Sequence, residues 1–398
     1  VLEENKATVG DKVIEEGTIL SVDGTSGNIY FGEIPMEEVT NTVALDELHV
    51  IWDRHAEIKV RANAETPNDI ETGMALGAVG IGLARTEHMF FEKSRLLQFR
   101  QLILADSLKE RVEVLKNLKE VQKQDFKFMY EAAKGKATTI RLLDPPLHEF
   151  LPKGADECRE VAKELGKTFN EVKRKTDNLA EVNPMLGFRG LRLGVAYPEI
   201  YQMQAEAIIE AACEVTKENE FTIQPEIMIP FTIDAEEFAR VRASIEEAIQ
   251  RSLKEYKQVL DYQIGTMIEI PRACFVAAEI AKHADFFSFG TNDLTQMALG
   301  LSRDDSPRII NQYMETGIFA DDPFQVLDEA GVGALMKLAI EGGRSVNPKL
   351  KIGICGEAAA HPKSIAFLNH LAIDYISCSP FRIPQAKMTL AQAAVNDQ

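Results

Sequence analysis

No apolar run in this chain reaches the ~18 residues that a membrane-spanning helix requires, so no transmembrane span is indicated. Cysteine is scarce. The five present (Cys158, Cys213, Cys274, Cys355 and Cys378) are scattered without metal-type pairing, and no signal peptide precedes them. An odd, unpaired set of this kind reads as reduced and cytoplasmic. Basic residues are also in short supply: 44 Lys and Arg against 62 Asp and Glu leave a net charge of -18. That balance argues against a nucleic acid or an anionic membrane surface as partner. None of the seven histidines shows a metal-binding spacing. No Gly-rich dinucleotide turn follows the first strand of the main pattern, which counts against an open doubly wound sheet.

What is present is a repeating pattern of strand and helix. Residues 1–36 read as short strands (Asp11–Val13, Thr18–Val22 and Ile29–Phe31) with turn signals at Asp23–Gly24 and Ser26–Gly27, too little to bury a core alone. Residues 37–57 read as a linker with one amphipathic stretch, Ala44–Trp52. The chain starts without Met and in mid-pattern, which makes a piece of a longer protein the expectation.

From Ile58 onward, strands and helices alternate to the C-terminus. Strands are expected at Ile58–Ala62, Gly80–Leu83, Thr138–Leu143, Thr222–Ile229, Tyr262–Ile270 and Asp285–Phe289. The count of eight runs through Met185–Gly187 and closes at Lys351–Cys355. Helices are expected at Thr66–Leu76, Ser94–Ala133, Asp156–Val182, Tyr197–Asn219, Ala235–Val259, Gly331–Ser345 and Pro362–Leu371. Eight such units over residues 58–398 predict an α/β fold, a (β/α)8 TIM-type barrel with helical insertions.

Polar residues at the carboxyl ends of barrel strands are the candidates for chemistry. Here they are Arg85, Arg141, Arg189, Glu226, Glu269, Asn292, Asp293 and Cys355. Glu269 and Asp293 end consecutive strands joined by one helix, so a parallel pair brings them to the same edge. Two converging carboxylates with no His or Cys beside them suit a hard cation such as Mg2+. The plainer alternative is an N-cap at Asp293 and a solvated strand end at Glu269. Three arginines toward one face of an acidic protein favour an anionic, phosphorylated ligand, because the planar guanidinium fork matches phosphate and carboxylate oxygens. Cys355 lies between Gly353 and Gly356, and nearby cations would favour its thiolate.

Several stretches then match a family in order: GIGLARTEHMFFE (80–92), RLLDPPLHEF (141–150), NPMLGFRGLRLG (183–194), PEIMIP (225–230), GTMIEIPRA (265–273), FFSFGTNDLTQM (286–297), GICGE (353–357) and YISCSPFRIP (375–384). Over residues 58–398 the chain resembles the C-terminal portion of the pyruvate phosphate dikinases. Residues 1–36 resemble the end of that family's swivelling phosphohistidine domain. The resemblance implies a barrel that binds pyruvate and phosphoenolpyruvate (PEP). It makes Glu269 and Asp293 ligands of Mg2+, Arg85 and Arg141 holders of the phosphoryl group with Arg189 assisting, and Gly290, Thr291 and Asn292 substrate contacts. Cys355 becomes the general acid/base at the methyl carbon. Partners implied are the phosphohistidine and ATP-grasp domains of a full-length protein and a second copy in a homodimer. A PEP synthase shares the barrel, and is the neighbouring alternative.

One departure stands out. The family usually continues CGEHGGDP where this chain reads CGEAAAHP (355–362), with Ala358, Ala359, Ala360 and His361 as the changes. Alanine is costly wherever glycine held a positive φ. A silent PEP-binding or dimerisation module is therefore a second expectation.

Overall fold

The computed structural model describes residues 2–3, 6–9, 12–23, 28–35, 43–90, 93–144 and 149–396. The expected turns at Asp23–Gly24 and Ser26–Gly27, the start of the Asp11–Val13 strand, the end of the 80–92 motif and the Pro145–His148 part of the 141–150 motif fall partly or wholly outside those residues. The chain forms two compact units, Val1–Val43 and Ala44–Gln398.

In the first unit, β1 (Leu2–Glu3), β2 (Lys6–Val9) and β3 (Lys12–Glu15) form an antiparallel sheet, and β4 (Leu20–Val22) pairs with β5 (Ile29–Phe31). Short strands of this kind cover little surface. None of the unit's described residues is buried, and Val9, Val13, Val22 and Phe31 are all exposed.

The second unit is a closed barrel of eight parallel strands: β6 (Lys59–Asn63), β7 (Gly80–Arg85), β8 (Ala137–Arg141), β9 (Pro225–Ile229), β10 (Gln263–Ile268), β11 (Phe286–Phe289), β12 (Lys351–Ile354) and β13 (Tyr375–Cys378). They pair in chain order, and β13 closes onto β6 with Ile376 opposite Val60. The predicted barrel is therefore the observed one. Each strand is buried almost throughout, as expected for a parallel sheet covered on both faces. Among the described residues no helix is long and apolar enough to cross a membrane.

The strand count needs one correction. Pro184–Leu186 is a single 3-10 turn and not a barrel strand, and Tyr375–Cys378 supplies the eighth. Two long helical expectations also divide. Residues 94–133 break at Asp106, where Ser107 caps a new helix at Leu108 by accepting from the Glu110 N–H. Residues 156–182 break where Thr168 and Glu171 form a reciprocal capping box. In the stretch 37–57, Val43–His55 is a helix whose Leu45 packs against the barrel's core cluster.

The barrel floor is ionic. Arg61 donates to Glu226 at 2.7 Å and 3.3 Å, Lys351 donates to it at 2.7 Å, and Thr139 donates at 2.6 Å. Arg61 also lies over the Tyr375 ring at 4.1 Å. Burial works against the Glu226 charge, but Arg61 and Lys351 outweigh it and bring its pKa down to about 2. Glu226 is the second residue of β9, so this network sits at the amino-terminal side. The expectation that Glu226 belongs to the mouth is overturned: position along the strand decides which end a side chain serves.

Candidate active site

Parallel strands deliver their carboxyl ends to one rim. β7 ends on Arg85 and β8 on Arg141; β10 runs out to Glu269, β11 to Gly290 and β12 to Cys355. The helix Thr291–Leu299 starts directly after Gly290 and carries Asn292 and Asp293 in its first turn. Arg189 is not a strand end. It follows the 3-10 turn and is turned inward just before Gly190, whose φ is 56°.

Arg189 is held on three points. Its Nε and Nη2 donate to Asp144 at 3.0 Å and 2.6 Å, and its Nη1 donates to Asp293 at 2.9 Å. The guanidinium stacks over Phe231 at 4.4 Å, within cation–π range. Arg141 is buried between Glu87 and Asp144, the latter at 3.4 Å. Arg85 donates to Glu65 at 3.1 Å. The three expected arginines therefore do converge on one mouth.

Glu269 is the most enclosed acid of the rim, only 1% exposed. Its Oε1 accepts from the backbone N–H of Phe231 at 2.7 Å, and its Oε2 is buried with no hydrogen-bond partner. Burial and the charge of Asp293 push the Glu269 pKa well above the carboxylate range, against the pull of Arg189 and Arg141. Asp293 is also raised, first by burial, despite its bond to Arg189. Both shifts describe two acids whose charges lack compensation. A buried carboxylate oxygen without a partner calls for a missing one, and a divalent cation between the two acids would answer the shortage. Among the described residues no group of three or more His, Cys, Asp or Glu forms a ready cation cage. A two-carboxylate site that leaves other positions to water and ligand suits Mg2+, which gives up its waters reluctantly. Gly290 keeps that space open: a Cβ there would stand 2.7 Å from Glu269 Oε2.

Cys355 is buried, and its Sγ donates to the Phe289 carbonyl at 3.5 Å. Burial pushes its thiol up, while Arg85 and Arg141 pull the other way and lose. The neighbouring cations do favour the thiolate, as expected, but desolvation is the larger effect here. The altered loop beyond it is a 3-10 turn, Glu357–Ala360, with all three alanines buried. None of the three has a positive φ, so the backbone carries no penalty for them. His361 caps the next helix, its Nδ1 accepting from the Lys363 N–H at 3.3 Å.

Residues 41–395 match the family model described as PEP-utilising enzyme, PEP-binding domain. The chain belongs to this family. It is 47% identical to a pyruvate, phosphate dikinase of Clostridium symbiosum over 98% of this chain and 45% of that protein. It is also 47% identical to one of Giardia intestinalis (97% and 44%) and to a chloroplastic one of Flaveria trinervia (98% and 41%). The chain therefore spans less than half the length of these relatives.

Within this member of the PEP-utilising enzymes, four residues of the rim escaped sequence reasoning as site candidates: Glu65, Glu87, Asp144 and Phe231. Asp144 had one signal, an acid three residues beyond Arg141; its burial, only 3% exposed, shows in the fold alone. Phe231 had none, since its φ of 62° is visible only in three dimensions.

Proposed function

We propose that this mouth is the pyruvate/PEP half-reaction centre of a pyruvate phosphate dikinase. The observation that carries the reading is the buried pair Glu269 and Asp293, with one bare carboxylate oxygen, facing Arg141 and Arg189 across the rim. Glu269 and Asp293 would hold Mg2+, which supplies a fixed positive charge for the substrate carboxylate and the enolate oxygen. Arg85 and Arg141 hold the phosphoryl group, with Arg189 assisting from its triple anchorage. The backbone and side chains of Gly290, Thr291 and Asn292 line the substrate's other side.

Cys355 manages the proton. When PEP is consumed, its P–O bond breaks, the phosphoryl group leaves for a phosphohistidine-domain imidazole, and the enolate carbon takes the proton of the Cys355 thiol. A thiol kept protonated by burial suits that donation. In the reverse direction the thiolate removes a methyl proton from pyruvate, and the enolate oxygen takes the phosphoryl group. Residues 1–36 fit the end of the phosphohistidine domain, an ATP-grasp domain would charge that histidine, and the barrel would pair with a second copy.

The test is pyruvate methyl exchange in deuterated water with Mg2+, followed by NMR. Exchange that disappears in Cys355→Ala, with PEP binding retained by calorimetry, is the expected result. PEP binding without exchange in the unaltered chain would favour the silent module, and no PEP binding would overturn both readings.

A further inference from the structure

Glu65, on the loop after β6, stands between Arg85 and His88. Its Oε1 accepts from Arg85 at 3.1 Å, and its Oε2 lies 3.9 Å from His88 Nδ1. The exposures of these side chains differ in a useful way: Glu65 is 19% exposed, Arg85 28% and His88 48%. His88 therefore reaches bulk water and exchanges protons freely, whereas the carboxylate it faces is largely enclosed. Together with Thr66, Pro67 and Met89, Glu65 and His88 line a cavity of about 270 Å3 beside the rim. Among the described residues, the other charged groups near His88 are Glu87 on its own 3-10 turn, and Arg95 and Asp125, which line the same cavity. Arg95 donates to Asp125 at 2.6 Å and 3.1 Å. Glu65 is the carboxylate that links His88 to Arg85.

One carboxylate cannot serve two cations fully and also leave either free. A ligand anion that reaches Arg85 competes with Glu65 for the same guanidinium. We propose that His88 is a positioning residue: its imidazolium shares Glu65 with Arg85, and losing that proton returns Glu65 wholly to Arg85, weakening its hold on a phosphoryl dianion. The inference rests on the reading of Arg85 as a phosphoryl holder and adds a titrating control to it. The electrostatics agree in direction. The Glu65 carboxylate raises the His88 pKa above its ordinary value, and His88 and Arg85, working against burial, hold Glu65 below its own. By linkage the effect is reciprocal: a dianion on Arg85 frees Glu65 for His88, so binding draws a proton onto the imidazole.

Two measurements test this on the whole chain. First, the His88 ring is titrated by NMR without ligand, in the unaltered protein and in Glu65→Gln. Its midpoint is expected to fall toward the ordinary histidine value when the carboxylate is removed. An unchanged midpoint overturns the coupling. Second, PEP affinity is measured by calorimetry with Mg2+ from pH 6 to pH 8.5 in the unaltered protein, His88→Gln and His88→Lys. The ligand's own phosphate titration is common to all three and cancels in the comparison. The unaltered protein is expected to lose roughly fivefold more affinity across this window than His88→Gln, the low end of coupling between sites. His88→Lys, with a fixed charge, is expected to stay flat and tight. Binding with the same pH profile in all three overturns this inference alone. No PEP binding by any of them overturns the reading of the site, and this inference with it.

Discussion

Phe231 gives its backbone N–H to Glu269 at 2.7 Å from a left-handed backbone, φ 62°, that a phenylalanine rarely adopts. The arrangement fixes one oxygen of the carboxylate and leaves the other bare. A residue held in such a conformation costs on the order of 1–3 kcal/mol and persists where its surroundings impose it. Here the imposed feature is the aim of Glu269 Oε2.

If that oxygen and Asp293 take a divalent cation, Mg2+ should stabilise the fold. Thermal unfolding of the barrel is expected to shift upward with MgCl2, by about 2.7 kcal/mol at a hundred times the dissociation constant. Glu269→Ala and Asp293→Ala should each abolish the shift. A shift surviving in both would place the ion elsewhere.

Gly356 faces Thr291 so closely that a Cβ at Gly356 would overlap the Thr291 hydroxyl. Gly356→Ala must therefore move the first turn of the helix that carries Asp293. Overpacking of this kind costs about 1–3 kcal/mol, and PEP affinity should fall with it. Adding Thr291→Ala removes the hydroxyl but leaves its Cβ 2.8 Å from the new one, so the double variant is expected to regain part of the lost stability in denaturant unfolding.

The barrel floor predicts an acid-sensitive term. The Glu226 pKa of about 2 lies below its ordinary 4.5. Its contribution is therefore complete above pH 4.5 and is lost as pH falls from 4.5 toward 2. Glu226→Gln leaves Arg61 and Lys351 without their counter-charge and should cost about 3–5 kcal/mol at pH 7. Urea unfolding of both proteins should show the difference shrinking steadily below pH 4.5.

Cys355 predicts a base-dependent rate. Its thiol is held above the ordinary 9.0, so the thiolate fraction grows about tenfold per pH unit through the neutral range. Pyruvate methyl exchange should rise with that slope between pH 6 and 8. A plateau below pH 7 would mean that another group takes the proton.

The barrel was legible because its strands are continuous apolar runs and its helices announce their caps, as Thr66 does by accepting from the Asp69 N–H. The rim residues Arg85, Arg141 and Glu269 followed from strand direction alone. Tyr375–Cys378 is not legible as a strand because four residues give little pattern, and Met185–Gly187 completes a count of eight without it. Glu226 was misplaced because an acid within a strand does not declare which end it serves. The burial that outweighs the cations at Cys355 is not legible in the sequence, because it depends on neighbours such as Met228 and Phe286 that lie far away along the chain. Asp144, which clamps Arg189, needed the loop and the strand to be seen together.

The ionic floor has one more consequence. Arg61, Glu226 and Lys351 stopper the barrel from below. Whatever settles against Glu269 and Asp293 then leaves by the door through which it entered. A donor that had to reach the same atoms would enter by that door behind the substrate, so the order of entry would be set by traffic before it is set by chemistry.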